Sequence, residues 1–290
     1  MSKIDIVIAT KDRPDYLNIL LKSLVDSSEQ ISQIIIVSSG VPVDYIIKNY
    51  IKALNINYIK SSISNQSYQK KLGVDSLTPN DNWVLFLDDD VIVPPSTINL
   101  LVSKYLSNQT YENVFGFGLS LSNNSSKSLP FILRIFLSFV GLYSSKPGKI
   151  LRSGHAQEYR NSTREVKTQW LNGLSIWEKK VAKSYNPINT EESYSAYEDV
   201  NFSYRASKEH VLLFVPELIV FDQNPDESVR MNCAQYEAGY RMRYQFVSLH
   251  AELSMVKFRI AQLIRAIWFT LKPNNEGLAK RFKVAVKTII

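Results

Sequence analysis

The chain has 290 residues, 45% hydrophobic and 21% charged, with a formal net charge of 34 − 27 = +7. That length holds one large domain or two small ones, and the ordinary composition excludes disordered, collagen-like and coiled-coil arrays. A single cysteine, Cys233, excludes an internal disulfide framework and fits a reducing compartment, and Met1–Ile8 does not read as a secretory signal.

Short apolar runs alternate with helical patterns over the first 120 residues. Ile4–Ile8 reads as a strand, and Pro14 opens a helix carrying Leu17, Leu20, Leu21 and Leu24 on one face. Ile34–Val37, Tyr58–Ile59, Trp83–Leu87 and Val114–Leu119 read as further strands. The helices between them fall at Val43–Ala53, Gln66–Leu77 and from Pro94-Pro95-Ser96 onward. This alternation predicts a mostly parallel α/β sheet with right-handed crossovers.

The pattern then changes. Ser120–Ser128 is a polar loop, and Leu129–Tyr143 is an apolar run interrupted by Arg134. Fifteen residues fall short of the ~20 needed to span a bilayer, which leaves a buried core helix or an interfacial one. Residues 227–290 hold 11 Lys/Arg and 4 Asp/Glu, so all the excess charge (11 − 4 = +7) lies there. Val256, Ile260, Leu263, Ile267 and Leu271 share one helical face, with Arg259, Arg265 and Lys272 off it. After Pro273–Gly277 a second basic helical stretch carries Lys280, Arg281, Lys283 and Lys287. A basic amphipathic helix of this kind either lies on anionic lipid or packs on its own domain with a solvated polar face.

The strongest chemical feature is Phe86-Leu87-Asp88-Asp89-Asp90-Val91, three carboxylates directly after an apolar strand. Ligands of open parallel sheets bind beyond the carboxyl ends of the strands. Adjacent anions repel, and a hard divalent ion with oxygen ligands would neutralise them. A second pair, Glu198-Asp199, suits either a helix macrodipole or a general base that deprotonates a hydroxyl.

Taken together, these segments resemble a family 2 glycosyltransferase of the GT-A fold, the inverting type that uses nucleotide sugars. Ile6-Val-Ile-Ala-Thr10-Lys-Asp12-Arg13-Pro14 matches the opening strand and turn, Phe86–Asp90 the Asp-x-Asp motif, and Glu198, Asp199 and Arg205 the Glu-Asp motif. Trp170-Leu-Asn172-Gly173-Leu-Ser175 and Tyr240-Arg241-Met-Arg243-Tyr244 resemble the intervening glycine segment and the late arginine segment. The resemblance covers residues 4–250 and implies a GT-A domain at 1–250. Residues 1–120 would be its nucleotide-binding half and 121–250 its acceptor-side half, with an apolar insert at 129–143 and a basic helical tail at 251–290.

The resemblance also implies roles. Ala9, Thr10, Asp12, Arg13 and Ser39 would line the nucleotide pocket, and Asp88 and Asp89 would lie against the donor. Asp88 and Asp90 would hold Mn²⁺ or Mg²⁺ on the diphosphate, and Asp199, with Glu198 second, would be the base. Asn172 and Gly173 would border the sugar, and Arg241 and Arg243 would meet phosphate oxygens.

Three segments depart from the family pattern. Val37-Ser38-Ser39-Gly40 lacks the usual acids, Lys70 stands in for an arginine, and Asp222 replaces a late metal-ligating histidine. The expected partners are a nucleotide-sugar donor, a glycan or lipid-linked acceptor in surface polysaccharide synthesis, and the inner face of a membrane. The oligomeric state stays open.

Competing readings have less behind them. A sugar nucleotidylyltransferase needs a glycine-rich N-terminal loop that Ala9–Pro14 lacks. A non-catalytic binding module would not require Asp88, Asp90 and Asp199 intact. Nucleic-acid binding lacks interleaved aromatic platforms. His155, His210 and His250 show no zinc-ligand spacing and read as structural, and Cys233 reads as inert.

Overall fold

The computed structural model describes residues 3–80, 82–122, 130–187, 196–223 and 233–271. Its strands are β1 (Ile4–Lys11), β2 (Ile31–Ser39), β3 (Ile56–Lys60), β4 (Trp83–Asp88), β5 (Val91–Ile92), β6 (Val114–Leu121), β7 (Val166–Thr168), β8 (Ser175–Glu178) and β9 (Val211–Asp222). Helices α1 (Pro14–Leu24), α2 (Asp44–Ile47), α3 (Gln66–Asp75), α4 (Pro95–Leu100) and α5 (Phe131–Phe139) occupy the first half. Helices α6 (Lys179–Ala182), α7 (Glu198–Ala206), α8 (Cys233–Leu249) and α9 (Met255–Leu271) follow.

β1 is apolar because both of its faces are covered. Ile4, Ile6 and Ile8 point into one cluster with Leu17, Leu20, Leu21 and Leu24 of α1. Val7 points the other way, into a cluster with Ile35, Val37 and Val74. This is the two-residue alternation of a strand buried between layers. The predicted helix at Val43–Ala53 shortens to one turn. Beyond Ile47 the backbone closes three-residue turns, Asn49 N to Ile46 O at 3.0 Å and Ala53 N to Tyr50 O at 2.9 Å.

The sheet order is β3-β2-β1-β4-β8-β6-β9-β5, with β7 pairing β9 off this path. The predicted parallel character belongs to β3-β2-β1-β4 and to the β6–β9 pair. β8 runs antiparallel to both β4 and β6, and β5 and β7 run antiparallel to β9. The register sets Ala9 beside Asp88 and Lys11 beside Ser39, so the carboxyl ends of β1, β2 and β4 open onto one edge.

The run at 129–143 is not a core helix. No residue of α5 is buried, and Phe131, Ile132, Ile135, Phe136 and Phe139 all stand exposed. α9 packs through Phe258 and Ala261, with Phe258 in a cluster with Phe246 and Val247 of α8. The face predicted from Val256, Ile260, Leu263 and Ile267 is therefore the one left exposed. The side chains of Leu271 and Cys233, together with Leu129, Lys272 and the stretch 273–290, lie outside the described residues. Among the described residues no helix is long and apolar enough to cross a membrane.

Candidate active site

The end of β4 and the turn after it separate three acids by burial. Asp89 faces inward and accepts from Thr10 Oγ1 at 2.6 Å and from Arg13 Nη1 at 3.3 Å. Burial pushes its pKa up to about 6, against the pull of Thr10 and Arg13. Arg13 Nη1 also donates to Asp90 Oδ2 at 2.9 Å, while Asp88 and Asp90 remain about one-third open. Asp12, at φ 54°, accepts from Val41 N at 2.9 Å and so joins the turn after β1 to the turn after β2. Gly40, at φ +81°, sits on that carboxylate, where an added Cβ would come within 1.9 Å of Asp12 Oδ1.

α3 closes the floor. Asn65 caps it by accepting from Tyr68 N at 2.9 Å, which aims the first turn at the strand ends. Gln66 Nε2 donates to Asp88 Oδ1 at 2.8 Å. Gln69 Nε2 donates to Thr10 O at 3.0 Å and Val37 O at 3.1 Å, holding the ends of β1 and β2 together, and lies 3.4 Å from Ser39 Oγ. Lys70 is buried, with Nζ 3.6 Å from both Asp88 Oδ1 and Glu198 Oε1. Burial pulls its pKa down, but Asp88, Glu198 and Asp199 outweigh that and keep the ammonium charged.

Lys70 thus joins the acids after β4 to those that open α7. Tyr197, in a left-handed conformation at φ 63°, turns the chain into α7 so that Glu198 and Asp199 fall in its first turn. Burial, then the Glu198 charge, raises the pKa of Asp199, opposed by Lys70 and by Val200 N, which donates to Oδ1 at 2.7 Å. Opposite, Asn172 N donates to Tyr159 Oη at 2.8 Å, and the buried Asn172 Oδ1 has no hydrogen-bond partner among the described residues. A Cβ at Gly173 would lie 3.2 Å from Lys70 Nζ and 3.4 Å from Asp88 Oδ2. Lys70, Phe86, Asn172, Gly173, Tyr185 and Asp199 all line one small pocket.

Residues 5–147 match the model of glycosyl transferase family 2. The chain carries a family 2 glycosyltransferase domain. No curated protein sequence matches it significantly. Among solved structures, residues 1–349 of TarS from S. aureus superpose with a TM-score of 0.59 at 15% identity, covering 99% of this chain and 81% of that one. The mannosyltransferase PcManGT from Pyrobaculum calidifontis, in complex with GDP-Man and Mn²⁺, gives 0.57 at 10% identity, covering 99% and 73%. Glucosyl-3-phosphoglycerate synthase from Mycobacterium tuberculosis, with Mn²⁺, UDP-Glc and phosphoglyceric acid, gives 0.52 at 12%, covering 85% and 80%. At these identities the likeness is one of fold, and the fold is GT-A.

In this glycosyltransferase the acids suit a divalent cation by their chemistry. All the donors are carboxylate oxygens, which hard cations prefer. The pKa of Asp90 is raised by burial first and then by the charge on Asp88, with a smaller push from Asp222, so the cluster remains short of positive charge even with Arg13 on it. The pairing of Val91 with Asp222 brings β9 to the acid turn. Among the described residues no three His, Cys, Asp or Glu side chains form a ready-made metal cage.

The arginines of α8 divide. Arg241 pairs with Glu237 at 3.0 Å, both side chains being partly exposed. Arg243 lies 4.8 Å over the ring of Tyr197, next to the α7 acids. The histidines are built into the packing. His155 is buried with its pKa lowered to about 3 by burial and by Arg265 and Arg243, His210 stacks 4.5 Å from Phe115, and His250 Nε2 lies 3.2 Å from Asn201 Oδ1. Gln66, Gln69 and Tyr185 were not singled out by sequence. Their only signal is position, since Gln66 and Gln69 lie one turn apart after the Asn65 cap.

Proposed function

We propose that this glycosyltransferase moves a sugar from a nucleotide-sugar donor to a hydroxyl of a glycan or lipid-linked acceptor, with inversion, in surface polysaccharide synthesis. The observation that carries it is Lys70, which lies 3.6 Å from both Asp88 and Glu198 and lines one small pocket with Glu198 and Asp199. Donor complexes in two fold neighbours, GDP-Man with Mn²⁺ and UDP-Glc with Mn²⁺, support the class of donor.

The nucleoside lies against Ala9, Thr10, Asp12, Arg13 and Ser39, at the ends of β1 and β2. Asp88, Asp90 and Asp222 would hold Mn²⁺ or Mg²⁺. When bound, such a cation offsets the negative charge that builds on the leaving diphosphate. Asp89 holds the turn in shape through Thr10 and Arg13. Gly173 leaves room for the sugar against Lys70 and Asp88, and Asn172 offers its free carbonyl oxygen. Asp199 takes the proton from the acceptor hydroxyl, a role that its raised pKa favours near neutral pH. Glu198, held by Lys70, tunes that carboxylate. Arg243, over Tyr197, and Arg241 would meet phosphate oxygens from α8. Residues 251–290 turn the enzyme toward the inner face of a membrane, where lipid-linked acceptors reside.

The test is the product's anomeric configuration by NMR, together with turnover of Asp199→Asn and Glu198→Gln. Inversion with Asp199→Asn the more damaging change is expected. Retention, or a larger loss in Glu198→Gln, would overturn the assignment.

A further inference from the structure

α5 has the wrong outside for a helix in water. Seven of its nine residues are apolar. Those turned to solvent are Phe131, Ile132, Ile135, Phe136 and Phe139, at 75%, 81%, 57%, 50% and 88% exposure. Leu133, Leu137 and the following Val140 take the protein side. α9 repeats the arrangement, anchored by Phe258 and Ala261 while Val256, Ile260, Leu263 and Ile267 face out. Both helices are fastened at one place. The Ser153 hydroxyl donates to Gly141 O just past α5, and Ser254 N, just before α9, donates to Arg152 O at 2.7 Å.

The two segments that carry these stripes are charged with one sign. Residues 113–157 contain five Lys/Arg and no Asp/Glu, and residues 253–275 contain four and none. Lys146, Lys149, Arg152, Lys257 and Arg259 are exposed, and none forms an ion pair among the described residues. Other surface cations are in part paired, as Lys104 is with Glu217 and Lys71 with Asp75.

We propose that the exposed faces of α5 and α9 form one docking surface for an anionic lipid bilayer. α5 lies in the interface with its five apolar side chains among the acyl chains, and the neighbouring cations sit at the headgroups. At ~1.5 Å per residue α5 is ~14 Å long, which suits lying in the interface and not crossing the ~30 Å core. Apolar burial without the cations would serve equally for a second copy of the chain. The net positive charge of the two segments favours lipid, because two copies of them brought face to face would repel. The proposal rests on the membrane-side reading of residues 251–290 and adds α5 as a separate, apolar contact.

The experiment is flotation of the full chain with vesicles of phosphatidylcholine alone or with phosphatidylglycerol. Three proteins are compared: wild type, Phe131→Ser/Phe139→Ser, and Lys257→Glu/Arg259→Glu. All four positions are exposed, so melting temperatures should match wild type. Wild type should float with the anionic vesicles and be released by salt, and each double variant should bind at least tenfold more weakly. Nucleotide binding should be equal in all three, which separates this surface from the transferase site. Loss in Lys257→Glu/Arg259→Glu alone would overturn the part assigned to α5 while leaving the tail's membrane contact standing. Absence of wild-type binding would overturn the whole proposal. So would a wild-type dimer in sedimentation that Phe131→Ser/Phe139→Ser dissociates, since a second copy would then cover the face.

Discussion

Asp199 is a carboxylate that folding keeps from ionising easily, because burial and Glu198 work against its charge more strongly than Lys70 supports it. A base must be unprotonated to act. A raised pKa therefore moves the acid limb of the rate profile upward, and transfer should fall as the pH drops below neutral, earlier than for an ordinary carboxylate. Asp199→Asn should remove that limb and lower kcat by about 10²–10⁴-fold while donor affinity, read by calorimetry, stays near wild type. Gly173 makes a different demand. A methyl there crowds Lys70 Nζ at 3.2 Å, and Lys70 is held from both sides by Asp88 and Glu198. Overpacking of about 1–3 kcal/mol is typical in such places. Gly173→Ala should weaken nucleotide-sugar binding about tenfold, at the lower end of that range, and an affinity equal to wild type would show that the glycine is not against the donor.

Individual elements are fixed by a few deep contacts. α6 is fastened to β1 by Lys179 Nζ, which lies 2.7 Å from Asp5 Oδ2 and also donates to Thr78 O at 2.6 Å and to Asn80. Both members of the pair are out of solvent. Lys179→Met leaves Asp5 buried without a counter-charge, a change that typically costs about 3–5 kcal/mol. Chemical denaturation should show that loss, and Asp5→Asn added to Lys179→Met should recover part of it. α9 holds to the domain through Phe258, which is 1% exposed, so Phe258→Ala should cost about 3–5 kcal/mol. Ile260→Ala, on the open face, should stay within about 0.5 kcal/mol of wild type. Equal losses at the two positions would mean that the outer face of α9 is packed as well.

Across the whole molecule, what could be read from sequence follows from how locally each feature is encoded. β1 and β2 are mostly apolar because both faces are covered, and the acids at the end of β4 announce a strand end in six consecutive residues. β8 was not legible. Its four residues join the sheet between β4 and β6 from about 90 residues further along the chain, and no local pattern states that pairing. Lys70 is legible as a motif position, but its bridge between Asp88 and Glu198, over 100 positions apart, is not. Gln66 and Gln69 are ordinary polar residues until the Asn65 cap aims them at Asp88 and Thr10. For α9, the helical period identified an apolar stripe correctly, but Phe258 and Ala261 on another side made the packing contact, because a large buried ring outweighs a longer row of half-exposed aliphatics.

The central claim is that the acids after β4, with Arg13 and Lys70, form a site for a nucleoside diphosphate held with a divalent cation. The most direct measurement is a calorimetric titration of the full chain with UDP, GDP and dTDP, each with Mn²⁺ and each with EDTA, repeated on Asp90→Ala. The expected result is binding of one nucleotide that requires Mn²⁺ and is lost in Asp90→Ala. Binding of none, or binding that is indifferent both to EDTA and to the loss of Asp90, would contradict the claim.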